Sequence, residues 1–139
     1  MEQRERTVRL WFDMWLRGED LGIQRIFAPD CVYTESWGPR YEDREKIAHW
    51  FQEWNGRGRV VRWDIRQFFH RGDQTVAEWS FADEMDDGRR EAFDGLSLIR
   101  WDGAGRIAAL TEYGCNIRTY DPYAQGDPPR FRDEAPGWF

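Results

Sequence analysis

Apolar residues recur at Val8, Trp11, Phe12, Trp15 and Leu16. Steps of three and four place them on one stripe, which predicts a helix of about four turns ended by Gly18. A shorter helix is expected from about Asp20 to Ala28, presenting Ile23, Ile26 and Phe27, before Pro29-Asp30 stops it. In the strand that follows, Cys31, Tyr33 and Glu35 share one face, and Val32, Thr34 and Ser36 the other. Gly38-Pro39 breaks it just past Trp37. Asp43 suits the N-cap of a third helix, and Glu45 sits in its first turn, where the helix dipole favours a carboxylate. The stripe of this helix is Ile47, Trp50, Phe51 and Trp54, closed by Asn55-Gly56; His49 lies off it and is expected in solvent.

The period then falls to two. Val61, Trp63 and Ile65 alternate with Arg62, Asp64 and Arg66, a half-buried strand. A turn at His70-Arg71-Gly72-Asp73 leads to a second strand from about Thr75 to Met85. Asp86-Asp87-Gly88 is a hairpin signal, a third strand runs from about Arg90 to Trp101, and Asp102-Gly103-Ala104-Gly105 leads into a last one, about Arg106 to Arg118. Short turns between long strands imply antiparallel neighbours. Three helices around one short strand, then four long strands, predict an α+β fold. Its curved antiparallel sheet is covered by the N-terminal helices, leaving an open cone. The domain is expected over residues 1–119, with a Pro-rich tail over 120–139. The tail's Tyr120, Tyr123, Phe131, Trp138 and Phe139 are expected to pack on the body or on a partner.

Composition narrows the function. A net charge of −6, with arginines scattered among acids, argues against a nucleic-acid partner, which needs clustered cations to neutralise phosphates. No apolar run reaches membrane-spanning length, and Met1-Glu2-Gln3-Arg4-Glu5-Arg6 lacks a signal peptide's apolar segment, so a cytoplasmic protein is expected. Cys31 and Cys115 have neither metal-ligand spacing nor a disulfide framework, and no metal or cofactor is expected. Nine Trp, nine Phe and five Tyr in 139 residues are enough to fill a core and also wall a pocket. At helical spacing Trp50, Phe51 and Trp54 read first as core, whereas Trp37, beside the Gly-Pro break, reads as a pocket rim.

Three segments carry a family resemblance: Phe27-Ala28-Pro29-Asp30-Cys31-Val32-Tyr33, Arg44-Glu45-Lys46-Ile47-Ala48-His49-Trp50, and Phe93 through the Asp102-Gly103-Ala104-Gly105 turn to Ile107. They resemble the nuclear transport factor 2-like superfamily, specifically its SnoaL-like and ketosteroid-isomerase-like branch, over roughly residues 5 to 118. The resemblance implies a cone-shaped pocket for a small molecule and a homodimer formed through the outer sheet face. It puts Glu35 at the isomerases' general-base position, and Trp11 and Ser97 where those enzymes carry an oxyanion-binding tyrosine and aspartic acid. The register it implies turns Glu35, Glu78 and Glu112 into the cone, with Tyr33, Trp37, Trp54, Trp11, Trp15 and Ser97 as ligand contacts. Simple alternation points the other way, because Trp79, Phe81, Ile107, Ala109 and Tyr113 form the more apolar faces.

Carboxylates sharing an aromatic cavity raise one another's pKa, so one can be a general acid while another remains a base. The expected function is therefore a cofactor-independent enzyme that uses Glu35 as base, and Glu78 or Glu112 as acid, on a small apolar carbonyl, epoxide or activated C–H substrate. The alternatives are a non-catalytic module binding an apolar or cationic ligand, and a dimeric interaction domain. In the blandest outcome Glu35 pairs with Arg40, and Glu78 and Glu112 form cross-strand ion pairs on a wet sheet face.

Overall fold

The computed structural model describes residues 1–132. Its elements are α1 (Glu2–Arg17), α2 (Ile23–Ile26), β1 (Phe27–Thr34), β2 (Arg40–Glu42), α3 (Arg44–Asn55), β3 (Gly58–Arg71), β4 (Gln74–Met85), β5 (Arg90–Trp101) and β6 (Ile107–Cys115). All six strands form one curved sheet in the order β2-β1-β6-β5-β4-β3. Neighbours are antiparallel except β1 and β6, which run parallel. The fold is the expected cone-shaped α+β arrangement, with α1 packed along β3 and α3 against β1 and β2.

α1 forms and stops as its pattern predicts, except that Leu16, expected on the apolar stripe, is exposed at the end of the helix. Val8, Trp11, Phe12 and Trp15 are buried together with Met14, and Gly18 takes the left-handed conformation (φ 67°) that turns the chain so that the Glu19 N–H also donates to the Met14 carbonyl, at 3.0 Å. Phe12 stacks on Trp63 with ring centroids 3.9 Å apart, and Trp79 meets both rings edge-on. Burying each such ring contributes about 1.5–3 kcal/mol, so this cluster is the main attachment of α1 to the sheet. Asp43 caps α3 by accepting the Lys46 N–H at 3.0 Å.

Four local expectations need correction. The second helix is a single turn, because the chain is already extended at Phe27, whose partner is Ile107; a register shift before Val32 accommodates Pro29. β2 is an additional strand: Tyr41 pairs with Tyr33 across three residues, too few to leave a periodic signal. On β3, bulges between Val60 and Arg62 and between Ile65 and Gln67 displace the alternation. The core residue is therefore Val60, and Val61 is left 45% exposed. In the tail, Tyr120, Tyr123 and Phe131 are exposed, which removes packing on the body and leaves a partner as the remaining alternative; Arg132 lies over the Tyr120 ring at 4.4 Å, and its N–H donates to the Tyr120 hydroxyl. This described part folds on itself, and Trp138 and Phe139 lie outside the described residues. Among the described residues no helix is long and apolar enough to cross a membrane, and no group of three or more His, Cys, Asp or Glu is placed to hold a metal ion.

Candidate functional site

Which side chains reach the inside of the cone follows from strand register. Glu78 stands opposite Leu96, and Leu96 opposite Tyr113; this row faces outward, with Leu96 41% and Tyr113 54% exposed. The next row, Trp79 and Gly95, faces inward. Even-numbered residues of β4 thus share a face with even-numbered residues of β5 but with odd-numbered residues of β6. Glu112 consequently points inward and Glu78 outward, where Gln67 donates to it at 2.6 Å and Arg66 approaches at 3.8 Å. Placing Glu78 in the cone was a wrong expectation, as was placing Trp79 on the outer face. β4 obeys simple alternation and β6 obeys the register implied by the family, because the offset across the last hairpin inverts the parity.

The interior is a cavity of about 790 Å³ opening between α3, the loop after β1 and the far ends of β4 and β5. Trp15, Trp37 and Trp54 line it, as does Trp50, which forms a near-parallel stack with Tyr41 at 4.3 Å. Lys46, His49 and the Glu53–Arg57 ion pair (2.7 Å) also border it. Three expected ligand contacts lie behind this wall instead. Tyr33, Trp11 and Ser97 are fully buried and absent from the lining. The Trp11 indole N–H donates to the Tyr33 hydroxyl at 3.2 Å, Tyr33 donates to Glu112 Oε2 at 2.5 Å, and Ser97 accepts the Trp79 indole N–H at 2.9 Å. These groups hold wall residues in place and have no direct access to the cavity.

Two pairs of carboxylates face the cavity. At one side are Glu35 and Glu112. Burial pushes Glu112 up to about 8, against the lowering effect of its Tyr33 hydrogen bond, and the Glu35 charge raises it further. Burial also raises Glu35, which accepts the Tyr41 hydroxyl at 2.8 Å, and the tyrosine bond offsets part of the shift. Arg40, its expected partner, pairs with Glu42 instead. At the other side, Asp83 and Glu91 stand opposite each other on β4 and β5. Burial, reinforced by the Glu91 charge, carries Asp83 to about 7, and burial raises Glu91. Among the described residues none of these four carboxylates forms an ion pair, whereas Glu53, Asp64, Glu84, Asp87, Asp94 and Asp102 all do. Arg57 and Arg89 act on them only from a distance, being tied to Glu53 and Asp87.

Sequence reasoning missed Tyr41, Asp83 and Glu91. Tyr41 sits on the unanticipated β2. Asp83 could have been found, because alternation through Trp79 and Phe81 leads directly to it, and Glu91 follows from Phe93 in the same way.

The arrangement offers an apolar molecule indole faces and, beside them, four carboxyl groups that burial raises above the ordinary carboxylate range. Comparison with known proteins agrees with the fold. An LEH-like epoxide hydrolase from M. tuberculosis superposes with a TM-score of 0.72 at 18% identity, covering 82% of this chain and 84% of that one. A Bacillus subtilis protein provisionally termed an isomerase gives 0.71 at 16% identity, with 82% and 87% covered. A Mesorhizobium loti protein provisionally termed a SnoaL-like polyketide cyclase gives 0.63 at 19%, with 78% and 97% covered. At such identities the likeness is one of fold. No curated protein matches the sequence. The family model described as "SnoaL-like domain" matches residues 8–110, and the chain belongs to that family, within the nuclear transport factor 2-like superfamily.

Proposed function

We propose that this protein is a cofactor-independent enzyme that uses general acid–base chemistry on a small, mostly apolar molecule bearing a carbonyl, an epoxide or an activated C–H bond. The observation that carries the reading is the placement of Glu35 and Glu112 on one aromatic-walled cavity with different tyrosine partners. With its carboxyl pushed to about 8, Glu112 keeps its proton at neutral pH and serves as the acid. Glu35, oriented by Tyr41, serves as the base. For a ketone, Glu35 takes the proton from the carbon beside the carbonyl and the C–H electrons become the enol double bond. Glu112 delivers its proton to the oxygen. Trp15, Trp50 and Trp54 hold the apolar body and exclude water. Tyr33 and Trp11 are positioning residues, acting through Glu112. Relatives of this fold named for epoxide hydrolysis, isomerisation and cyclisation support the choice of reaction classes.

Proton exchange tests this without knowledge of the natural substrate. Exchange of the α-protons of 2-tetralone in D2O, followed by NMR, is expected to be accelerated by the protein. Glu35→Gln is expected to lower that acceleration by about 10²–10⁴-fold with the fold intact. Undiminished exchange in this variant removes Glu35 as base.

We also place the protein in the cytoplasm, in keeping with its two free thiols, Cys31 and Cys115. We assign it a homodimer formed through the outer sheet face, where Phe69, Leu96 and Tyr113 are exposed. Sedimentation equilibrium is expected to give twice the chain mass, and the single-chain mass at micromolar concentration would rule the dimer out.

A further inference from the structure

Asp83 is 7% exposed, yet it has no cation within ion-pair distance among the described residues. Its Oδ1 accepts the Glu91 backbone N–H at 3.2 Å, and its Oδ2 has no hydrogen-bond partner among those residues. The Glu91 side chain faces the same space. The next inward pair along β4 and β5 is Phe81 with Phe93, ring centroids 5.2 Å apart, and Trp63 meets Phe81 edge-on at 5.2 Å. Acid pair, phenylalanine pair and indole therefore form a continuous wall of the cavity. Two desolvated carboxylates without a counter-ion are costly when ionised, and aromatic faces attract cations through their quadrupole.

Three of the local cations are already engaged. Arg57 pairs with Glu53, Arg89 with Asp87 at 2.8 Å, and Arg90 with Glu84 at 3.5 Å. Arg118 lines the groove on the other side of Asp83 without an ion pair to either acid. The remaining titratable groups on the cavity are Glu35, Glu112, Tyr41, Lys46 and His49.

We infer that Asp83 and Glu91, with Phe81, Phe93 and Trp63, form a subsite for the ammonium group of an organic ligand. The inference rests on reading the cavity as the small-molecule site, and it adds a positively charged group to the otherwise apolar ligand. The ligand's charge supplies the counter-ion the acids lack, so binding draws protons off them. A basic group anchored here leaves the rest of the molecule to Glu35 and Glu112.

Benzyltrimethylammonium, whose charge does not change with pH, and its neutral carbon isostere neopentylbenzene are suitable probes. By calorimetry or Trp quenching, the ammonium is expected to bind at least about tenfold more tightly than the isostere at pH 8. Its affinity should rise about tenfold between pH 6 and pH 8, as Asp83, near 7, ionises. In the doubly neutral variant Asp83→Asn, Glu91→Gln the preference and the pH dependence should vanish while neopentylbenzene binds as before. Glu35→Gln should leave the ammonium preference in place, which keeps this test separate from the catalytic one. Equal binding of both probes overturns the ammonium subsite and leaves the cavity as a ligand site. Binding of neither probe overturns both. A preference that survives in the double variant places the cation elsewhere and overturns the assignment to Asp83 and Glu91.

Discussion

Gly95→Ala is expected to lower stability by about 3 kcal/mol, at the upper end of what overpacking a core produces. A Cβ on residue 95 would lie 2.4 Å from the Tyr113 carbonyl oxygen and 2.5 Å from Cη2 of Trp79. The first is backbone in the neighbouring strand and yields only if β5 and β6 part. The second belongs to a ring held by its hydrogen bond to Ser97 and packed against Phe12, Trp63 and Phe93. Glycine is thus required here for close approach. Urea denaturation monitored by Trp emission measures the loss. Adding Trp79→Phe should recover only part of it, because the carbonyl clash remains. A Gly95→Ala protein as stable as the parent would show that the ring and the strand do not meet as described.

The second large effect is in pH dependence. Glu112 and Asp83 have folded-state pKa values near 8 and 7, against ordinary values of 4.5 and 3.8, and Glu35 and Glu91 are shifted in the same direction. A carboxyl whose pKa is raised on folding holds its proton more tightly in the native state. The folded form therefore binds more protons than the unfolded chain between about pH 4 and pH 8, and stability falls as pH rises through that window. The acids with lowered pKa, including Asp94 and Asp102, change their contribution only at lower pH, as they protonate, so they leave the range from 5 to 8 to the cavity. The unliganded protein should therefore melt at a lower temperature at pH 8 than at pH 5.5. Glu112→Gln should raise stability at pH 8 by on the order of 2 kcal/mol, less than the full shift at about 1.4 kcal/mol per unit, because cavity water screens the partly exposed carboxylate. At pH 5 the variant and the parent should be alike. Scanning calorimetry across the range checks both. A melting temperature that stays flat or rises from pH 5.5 to pH 8 would contradict the burial of these acids.

The sequence showed much of the frame because the strongest patterns are local. Five apolar residues at helical spacing define α1, Asp43 and Asn55-Gly56 bracket α3, and turn residues bound β5 at both ends. Quantities that depend on two strands at once were not legible. Bulges moved Trp63 onto the same face as Val60 instead of Val61, and the offset of the last hairpin decided that Glu112, not Glu78, points inward. Tyr33 illustrates the same limit. Its inward face could be read from alternation, but its engagement with Trp11 and Glu112, which removes it from the expected ligand contacts, depends on residues 22 positions earlier and 79 later.

The parallel pairing of β1 with β6 also bears on the order of events during synthesis. Phe27–Thr34 leaves the ribosome early, but the strand that covers its long edge, Ile107–Cys115, is among the last parts of the domain to emerge. Until then β1 has only the three residues of β2 as a partner, and the indoles of α1 and α3 lack most of their sheet. Closure thus waits for contacts of high sequence separation, which makes folding slow relative to helical domains of this size and exposes an aromatic-rich nascent chain. The pairing that closes the sheet is also the one that brings Tyr33 to Glu112, so the candidate acid acquires its hydrogen-bond partner only as the last strand docks.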